Sequence, residues 1–308
     1  MPRLLVIGSI NMDLVVRCQR MPAPGETVFG SDFQTIPGGK GANQAVAAAR
    51  LAGGCAMIGR VGDDAFGRQL REHLADCGVE VAAVKALDHT PSGVAVISVD
   101  AAGENAITVV SGANGRLSPH DVRGCEDRIA NADAVVMQLE TPFETIIEAV
   151  RIARSHGVMT VLDPAPAPAE GLPDELHEVD VLSPNQSEAA LLTGRTVDDA
   201  DGAEAAGRWL LERGAGMAVV KRGRAGATIV VADGEVRHVN PIKVEAVDTT
   251  AAGDAFTAAL AVALAEGASR EAAGRFAAAA GALAVTKFGA QPAMPTREEV
   301  ERLAAESG

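Results

Sequence analysis

Two rhythms of hydrophobic and polar positions run along the chain. Short apolar runs at 4–7, 56–61, 134–139, 158–162, 179–183 and 217–221 lack polar alternation, as expected of strands buried on both faces. Alanine-rich stretches with apolar residues at helical spacing separate them, at 41–51, 66–75, 119–129, 142–155, 188–192, 203–213, 252–265, 270–285 and 297–305. Strand, loop and helix repeated from end to end predict an α/β fold, a doubly wound, mainly parallel sheet flanked by helices.

Two segments break this rhythm. Within 14–36, the runs 15–18 and 28–34 flank the turn-rich Met21-Pro22-Ala23-Pro24-Gly25. Within 93–110, the runs 94–99 and 105–110 flank Asp100-Ala101-Ala102-Gly103, a hairpin signature. Both read as antiparallel strands of a small separate sheet. Such an insert suits a lid over a site or a dimer surface, although an idle decoration has the same pattern.

Composition narrows the partners. A net charge of −14 repels phosphate backbones and anionic membranes, and one Trp, seven Phe and no Tyr leave little to stack on bases. Neither nucleic acid nor membrane is expected as a partner. Cys18, Cys55, Cys77 and Cys125 have no C-x-x-C spacing and read as buried reduced thiols. His73, His89, His120, His156, His177 and His238 are scattered, so no zinc site is expected. The first apolar run, 4–7, is too short for a signal peptide, and no later run approaches a membrane span, so the expected location is cytoplasmic.

The familiar phosphate fingerprints are missing. Around Gly39-Lys40 the spacing is wrong for a P-loop, and Gly39-Lys40-Gly41-Ala42-Asn43-Gln44 fails the dinucleotide pattern. The strongest signal lies instead in Asp248-Thr249-Thr250-Ala251-Ala252-Gly253-Asp254 ahead of a long apolar helix. Small residues at a helix start leave amide N–H groups and the positive end of the helix dipole open to an anion. That arrangement suits charge building on a transferring phosphoryl group, with Asp254 as the base that orients a hydroxyl and takes its proton late. The same dipole predicts an ionised, weakly basic Asp254; an ordinary acidic first-turn residue has the same look.

Other clusters are weaker. Lys40 and Asn43 open a helix after Gly38-Gly39 and can bind hydroxyls, although a plain turn explains this run as well. Asn11 and Asp13, Glu140, Asp163, and Asn185 with Glu188 all follow predicted strands, where open α/β sheets bind ligands; turn or cap roles compete at each. Asn185 and Glu188 can hold a hydrated Mg²⁺ through water.

Together these residues resemble the phosphofructokinase-B (ribokinase-like) family of sugar kinases over nearly the whole chain, so that 1–308 reads as one kinase domain. The resemblance rests on Gly8-Ser9-Ile10-Asn11-x-Asp13, Pro24-Gly25-Glu26-Thr27, Gly38-Gly39-Lys40-Gly41-Ala42-Asn43-Gln44-Ala45 and Met137-Gln138-Leu139-Glu140. It rests equally on Pro184-Asn185-x-x-Glu188, Asp248-Thr249-x-Ala251-Ala252-Gly253-Asp254 and Gly289-Ala290-Gln291-Pro292. The first segment and Glu140 point to the ribose-phosphorylating branch. The resemblance implies a sugar pocket of Asn11, Asp13, Gly39, Lys40, Asn43 and Glu140, with Asp254 as base and Ala251, Ala252 and Gly253 as anion hole. It implies ATP with Mg²⁺ across Asn185, Glu188, Lys221, Gly223, Gly226 and Gly253 towards Ala278. A monovalent cation, K⁺, would sit at Asp248, Thr250, Ala284, Lys287, Gly289 and Ala293, and the lids of two subunits would pair as a homodimer. Three positions depart from the family pattern: Lys221 replaces a common Thr, Ala278 a His able to stack near adenine, and Ala293 a Ser able to help hold the cation. Kinases for deoxyribose, a ketose or a ribonucleoside fit the same pattern, as does a non-catalytic sugar-binding homologue.

Overall fold

The computed structural model describes residues 1–307. Its strands are β1 (Leu4–Ile7), β2 (Asn11–Cys18), β3 (Gly30–Gly38), β4 (Cys55–Gly62), β5 (Val79–Leu87), β6 (Gly93–Val99), β7 (Asn105–Val110), β8 (Ala134–Met137), β9 (Met159–Leu162), β10 (Val181–Leu182), β11 (Met217–Lys221), β12 (Ala227–Val231) and β13 (Val236–Val239). Its helices are α1 (Lys40–Ala52), α2 (Ala65–Asp76), α3 (Pro119–Arg123), α4 (Glu126–Ala130), α5 (Phe143–Ser155), α6 (Asp174–His177), α7 (Gln186–Thr193), α8 (Ala200–Leu211), α9 (Ala252–Ala265), α10 (Arg270–Ala284) and α11 (Arg297–Glu306).

The main sheet runs β13-β12-β11-β10-β9-β8-β1-β4-β5, parallel from β11 through β5, with β12 and β13 closing one edge antiparallel. Alternate side chains of β1 show why both faces need helices. Leu4 and Val6 join a core with α1, α2, α9 and α10, while Leu5 and Ile7 join another with α4 and α5. The doubly wound, mainly parallel architecture is thus as the sequence predicts. Three strands fall outside the predicted set. β5 alternates buried Val79 and Val84 with exposed Glu80 and Lys85 because it is an edge strand, and β12 and β13 form the antiparallel edge. The helix expected over 119–129 is broken: α3 stops at Gly124, and Cys125 leaves helical geometry with φ −119. Gly favours such a break through its poor helix propensity.

The small sheet has the order β3-β2-β6-β7. Each expected hairpin is antiparallel, β2 with β3 and β6 with β7, whereas the central pair β2 and β6 runs parallel. β1 ends at Ile7 and β2 starts at Asn11; β3 ends at Gly38 and α1 starts at Lys40. Four short crossings join the small sheet to the core, from β1 to β2, from β3 to α1, from β5 to β6 and from β7 to the turn at Gly112, and the first two lie beside the carboxyl end of β1. One face of the small sheet carries bare apolar residues on β7, with Ile107 55% and Val109 49% exposed, and the opposite face carries Phe33, 59% exposed. No helix among the described residues is long and apolar enough to cross a membrane.

Candidate active site

The amino end of α9 is the centre of the site. Ala251 precedes it in the left-handed region at φ 58, and no side chain caps the helix. Left-handed backbone at alanine costs on the order of 1 kcal/mol, and here it turns the chain so that the first-turn amides keep no side-chain partner. A Cβ on Gly253 would meet only Lys221 Nζ, at 3.7 Å, so the helix tip has open space before it. Asp254 sits in this first turn and is 4% exposed.

Two amides from α1 hold the carboxylate. Asn43 Nδ2 donates to Oδ2 at 2.9 Å and Gln44 Nε2 donates to Oδ1 at 3.0 Å. Burial raises the proton affinity of Asp254 above the usual carboxylate range, although Lys40 and the two amides pull the other way. Where the helix dipole alone predicts a weak base, burial pushes the proton affinity of Asp254 the other way.

The small-sheet side gathers hydroxyl-binding groups. Asp13 on β2 is pushed up to about 7 by burial and by the negative charges of Glu140 and Asp254. Asn114, in the turn Gly112–Arg116, accepts from Ile10 N at 2.9 Å and donates to Ile10 O at 3.0 Å and to Asn11 Oδ1 at 2.7 Å. A Cβ on Gly93 would lie 2.2 Å from Asn114 Nδ2, so glycine is required there. Ser9 Oγ donates to Glu140 Oε2 at 2.6 Å, and the Lys40 amide donates to the same oxygen at 3.2 Å. Gly39, at φ 89, makes this turn into α1, and a Cβ there would come 2.8 Å from Asn11 N. Burial disfavours the charge on Lys40, but Asp254, Asp163, Glu140 and Glu188 outweigh it and hold the ammonium firmly protonated.

On the other side of Asp254 opens a cleft of about 870 Å³. Asn185, Glu188, Lys221, Gly223, Gly226, Gly253 and Ala278 all line it, as do Lys40, Ala251, Ala252 and Asp254. Gly226 has φ 86, and a Cβ on it would lie 2.0 Å from Val239 O, so this turn can be made only by glycine. Asn185 and Glu188 cap α7 reciprocally, with Glu188 N donating to Asn185 Oδ1 at 2.9 Å and Asn185 N to Glu188 Oε2 at 2.8 Å. Burial and Asp163 raise the proton affinity of Glu188, so a cation nearby would relieve it. A cation held largely through water and phosphate fits these residues, since no cluster of three metal-ligating side chains occurs among the described residues.

Asp248, Thr250, Ala284, Lys287, Gly289 and Ala293 stand outside the cleft wall, whereas their neighbours Thr249, Ala251 and Val285 line it. Asp248 ties the group together, accepting from Thr250 N at 2.9 Å, Thr250 Oγ1 at 2.7 Å and Gly289 N at 2.9 Å. Burial opposes its ionisation, but these bonds prevail and hold its carboxyl below the usual range. Lys287 Nζ donates to Glu299 Oε1 at 3.2 Å.

Several residues here were not singled out from the sequence. Gln44 and Gln291 were only parts of motifs, and Asn114 and Thr257 carried no signal. Gln291 Nε2 donates to Asn43 Oδ1 at 3.2 Å, and Thr257 Oγ1 accepts from Lys221 Nζ at 3.2 Å. Neighbours on a helix diverge by about 100°, so spacing gave no reason for Asn43 and Gln44 both to reach Asp254.

The model of the pfkB family carbohydrate kinases matches residues 1–297. Ribokinase of Bacillus subtilis (strain 168) is 44% identical over 305 residues, covering 98% of this chain and 99% of its own. Ribokinase of Haemophilus influenzae is 41% identical over 297 residues, 96% of each chain, and deoxyribokinase of Salmonella typhi is 38% identical over 296 residues, again 96% of each. Among solved structures, Arabidopsis thaliana ribokinase complexed with ribose and ATP superposes with a TM-score of 0.92 at 37% identity, over 98% of both chains. With a match this long behind a helix-tip carboxylate set between a polar pocket and an open cleft, the chain belongs to the pfkB family of carbohydrate kinases.

Proposed function

We propose that this kinase transfers the γ-phosphoryl group of ATP to the 5-hydroxyl of D-ribose, giving ribose 5-phosphate and ADP. The observation that carries the proposal is Asp254, held by Asn43 and Gln44 at the open tip of α9. The ribose oxygen bonds to phosphorus, the bond from phosphorus to the bridging oxygen of the β-phosphate breaks, and Asp254 receives the hydroxyl proton. Asn11, Asp13, Gly39, Lys40, Asn43 and Glu140 bind and orient the sugar. The amides at Ala251, Ala252 and Gly253 receive the charge on the phosphoryl oxygens. Asn185, Lys221, Gly223, Gly226 and Ala278 hold the nucleotide. Mg²⁺, held through water by Asn185 and Glu188, would neutralise charge on the phosphates.

The same reading covers the surroundings. Residues 1–308 act as one kinase unit, cytoplasmic, with the small sheet as lid and the bare lid face as a homodimer surface. K⁺ would be held by backbone carbonyls beside Asp248, with Ala293 offering no hydroxyl. Likeness to a deoxyribokinase favours 2-deoxyribose as the second candidate.

ADP release, measured with ribose, 2-deoxyribose, a ketose and a ribonucleoside, each with and without K⁺, tests all of this. Ribose should give the highest kcat/KM. No ADP release with any sugar would leave only a binding protein.

A further inference from the structure

Lys221, one of the three positions that depart from the family pattern, does not stand alone. Its ammonium donates to Asp163 Oδ1 at 2.9 Å and to Thr257 Oγ1 at 3.2 Å. Two of its three N–H groups are thereby used, and the head lies beside Gly253 at the tip of α9. The other oxygen of Asp163, Oδ2, accepts from Gln44 Nε2 at 3.0 Å, and that same nitrogen donates to Asp254 Oδ1 at 3.0 Å. Gln138 Nε2 donates to Gln44 Oε1 at 2.6 Å, so the Gln44 amide is engaged at every hydrogen and cannot turn over. A single locked amide thus bridges two buried carboxylates, and only Asp163 is hydrogen-bonded to a lysine ammonium. Asp163 is 1% exposed and Lys221 9%, so little water screens this line.

We propose that Asp163 is a positioning residue through which Lys221 sets how strongly Asp254 holds a proton. The inference rests on the phosphoryl-transfer reading above. In the empty cleft Lys221 covers the charge of Asp163. When phosphate oxygens draw the ammonium towards the tip of α9, that charge is uncovered across the Gln44 amide, and Asp254 becomes the stronger base when the phosphoryl donor is in place. Asp163 already raises the proton affinity of Asp254. The other charged groups that act on Asp254 are Lys40 on α1 and Asp13 on β2, with Glu140 after β8 and Glu188 on α7 acting on Lys40 in turn; none of them shares the Gln44 amide.

The test compares full-length wild type, Asp163→Asn, Lys221→Thr and the double variant in the pH dependence of kcat. Asp163→Asn should move the acidic limb down by ~1 pH unit. Lys221→Thr should leave this limb near wild type, since bound phosphates have already drawn the ammonium away, and should move up that of kcat/KM, which reports the free enzyme; the double variant should match Asp163→Asn, because the lysine acts through the carboxylate. A Lys221→Thr shift that persists unchanged without Asp163, or an Asp163→Asn limb that overlays wild type, overturns the proposal. Should a single variant fail to fold, the double variant, which removes the ion pair as a unit, must still show the lowered limb. A second readout needs no turnover: proton uptake on binding Mg²⁺ with a non-hydrolysable ATP analogue, from calorimetry in buffers of different ionisation heat. Wild type should take up protons that Asp163→Asn and Asp254→Asn do not; equal uptake in all three overturns the proposal. Absence of sugar phosphorylation in wild type would sink the functional reading alone and leave this second measurement to decide.

Discussion

A Cβ on Gly38 would lie 2.2 Å from Asp13 Oδ2 and 2.5 Å from its Cγ, so the last residue of β3 makes room for the Asp13 side chain on β2. Gly38→Ala should force Asp13 out of the pocket. Loss of a hydrogen bond to a charged group, ~1.5–3 kcal/mol, corresponds to a KM for the sugar raised roughly 10- to 100-fold. The KM for ATP should hardly move. Steady-state kinetics with each substrate varied decides, and an unchanged sugar KM would show that Asp13 does not touch it.

Asp254→Asn keeps the shape of the carboxylate but cannot take a proton. Turnover should fall ~10²- to 10⁴-fold, with sugar affinity largely kept. Single-turnover rates and equilibrium sugar binding, measured on the same preparation, separate the two effects. Near-normal turnover would remove Asp254 from the chemistry.

Asp13 also links stability to pH. Its value in the fold is about 7, against 3.8 ordinarily, so between these limits the folded chain holds a proton that the unfolded chain has lost. The contribution of this group is full below 3.8 and declines as pH rises through about 7. The melting temperature of the unliganded protein should therefore drop across this window relative to Asp13→Asn. Parallel melting curves for the two proteins would mean that Asp13 titrates normally.

The bare face of the lid gives a fourth expectation. Ile107, 55% exposed on the edge strand β7, shares a face with Val109, 49% exposed. Ile107→Glu should convert a dimer to a monomer in light scattering while the melting temperature stays close to that of wild type. A wild-type monomer at micromolar concentration would end the dimer proposal.

Much of this architecture is legible in the sequence where one local rule suffices. β1, β11 and α9 begin and end where the apolar runs and their flanking Gly, Asp and Arg residues say they should. Glu140, Asp163 and Asn185 meet because parallel strands deliver their carboxyl ends to one edge, a rule of topology that can be read before any coordinates. What was not legible depends on distant partners. The parallel pairing of β2 with β6 brings Asn11 opposite Gly93, with no nearby residue to announce it. The sequence places Lys221 on the nucleotide path without its partner, Asp163, which lies on another strand end. The proton affinity of Asp254 was misjudged for a related reason: the dipole belongs to its own helix, whereas the burial comes from everything packed around it.

Asn114 fastens the start of β2 to the core, and Gly93 passes through the same point. A swing of the proposed lid about this point would keep Asn11 at the axis and carry the β7 rim furthest. Groups at a pivot keep their aim while the panel moves. A sugar seated by Asn11 can stay in register with Asp254 through every opening and closing, and the exposed rim is free to be shaped by whatever it meets.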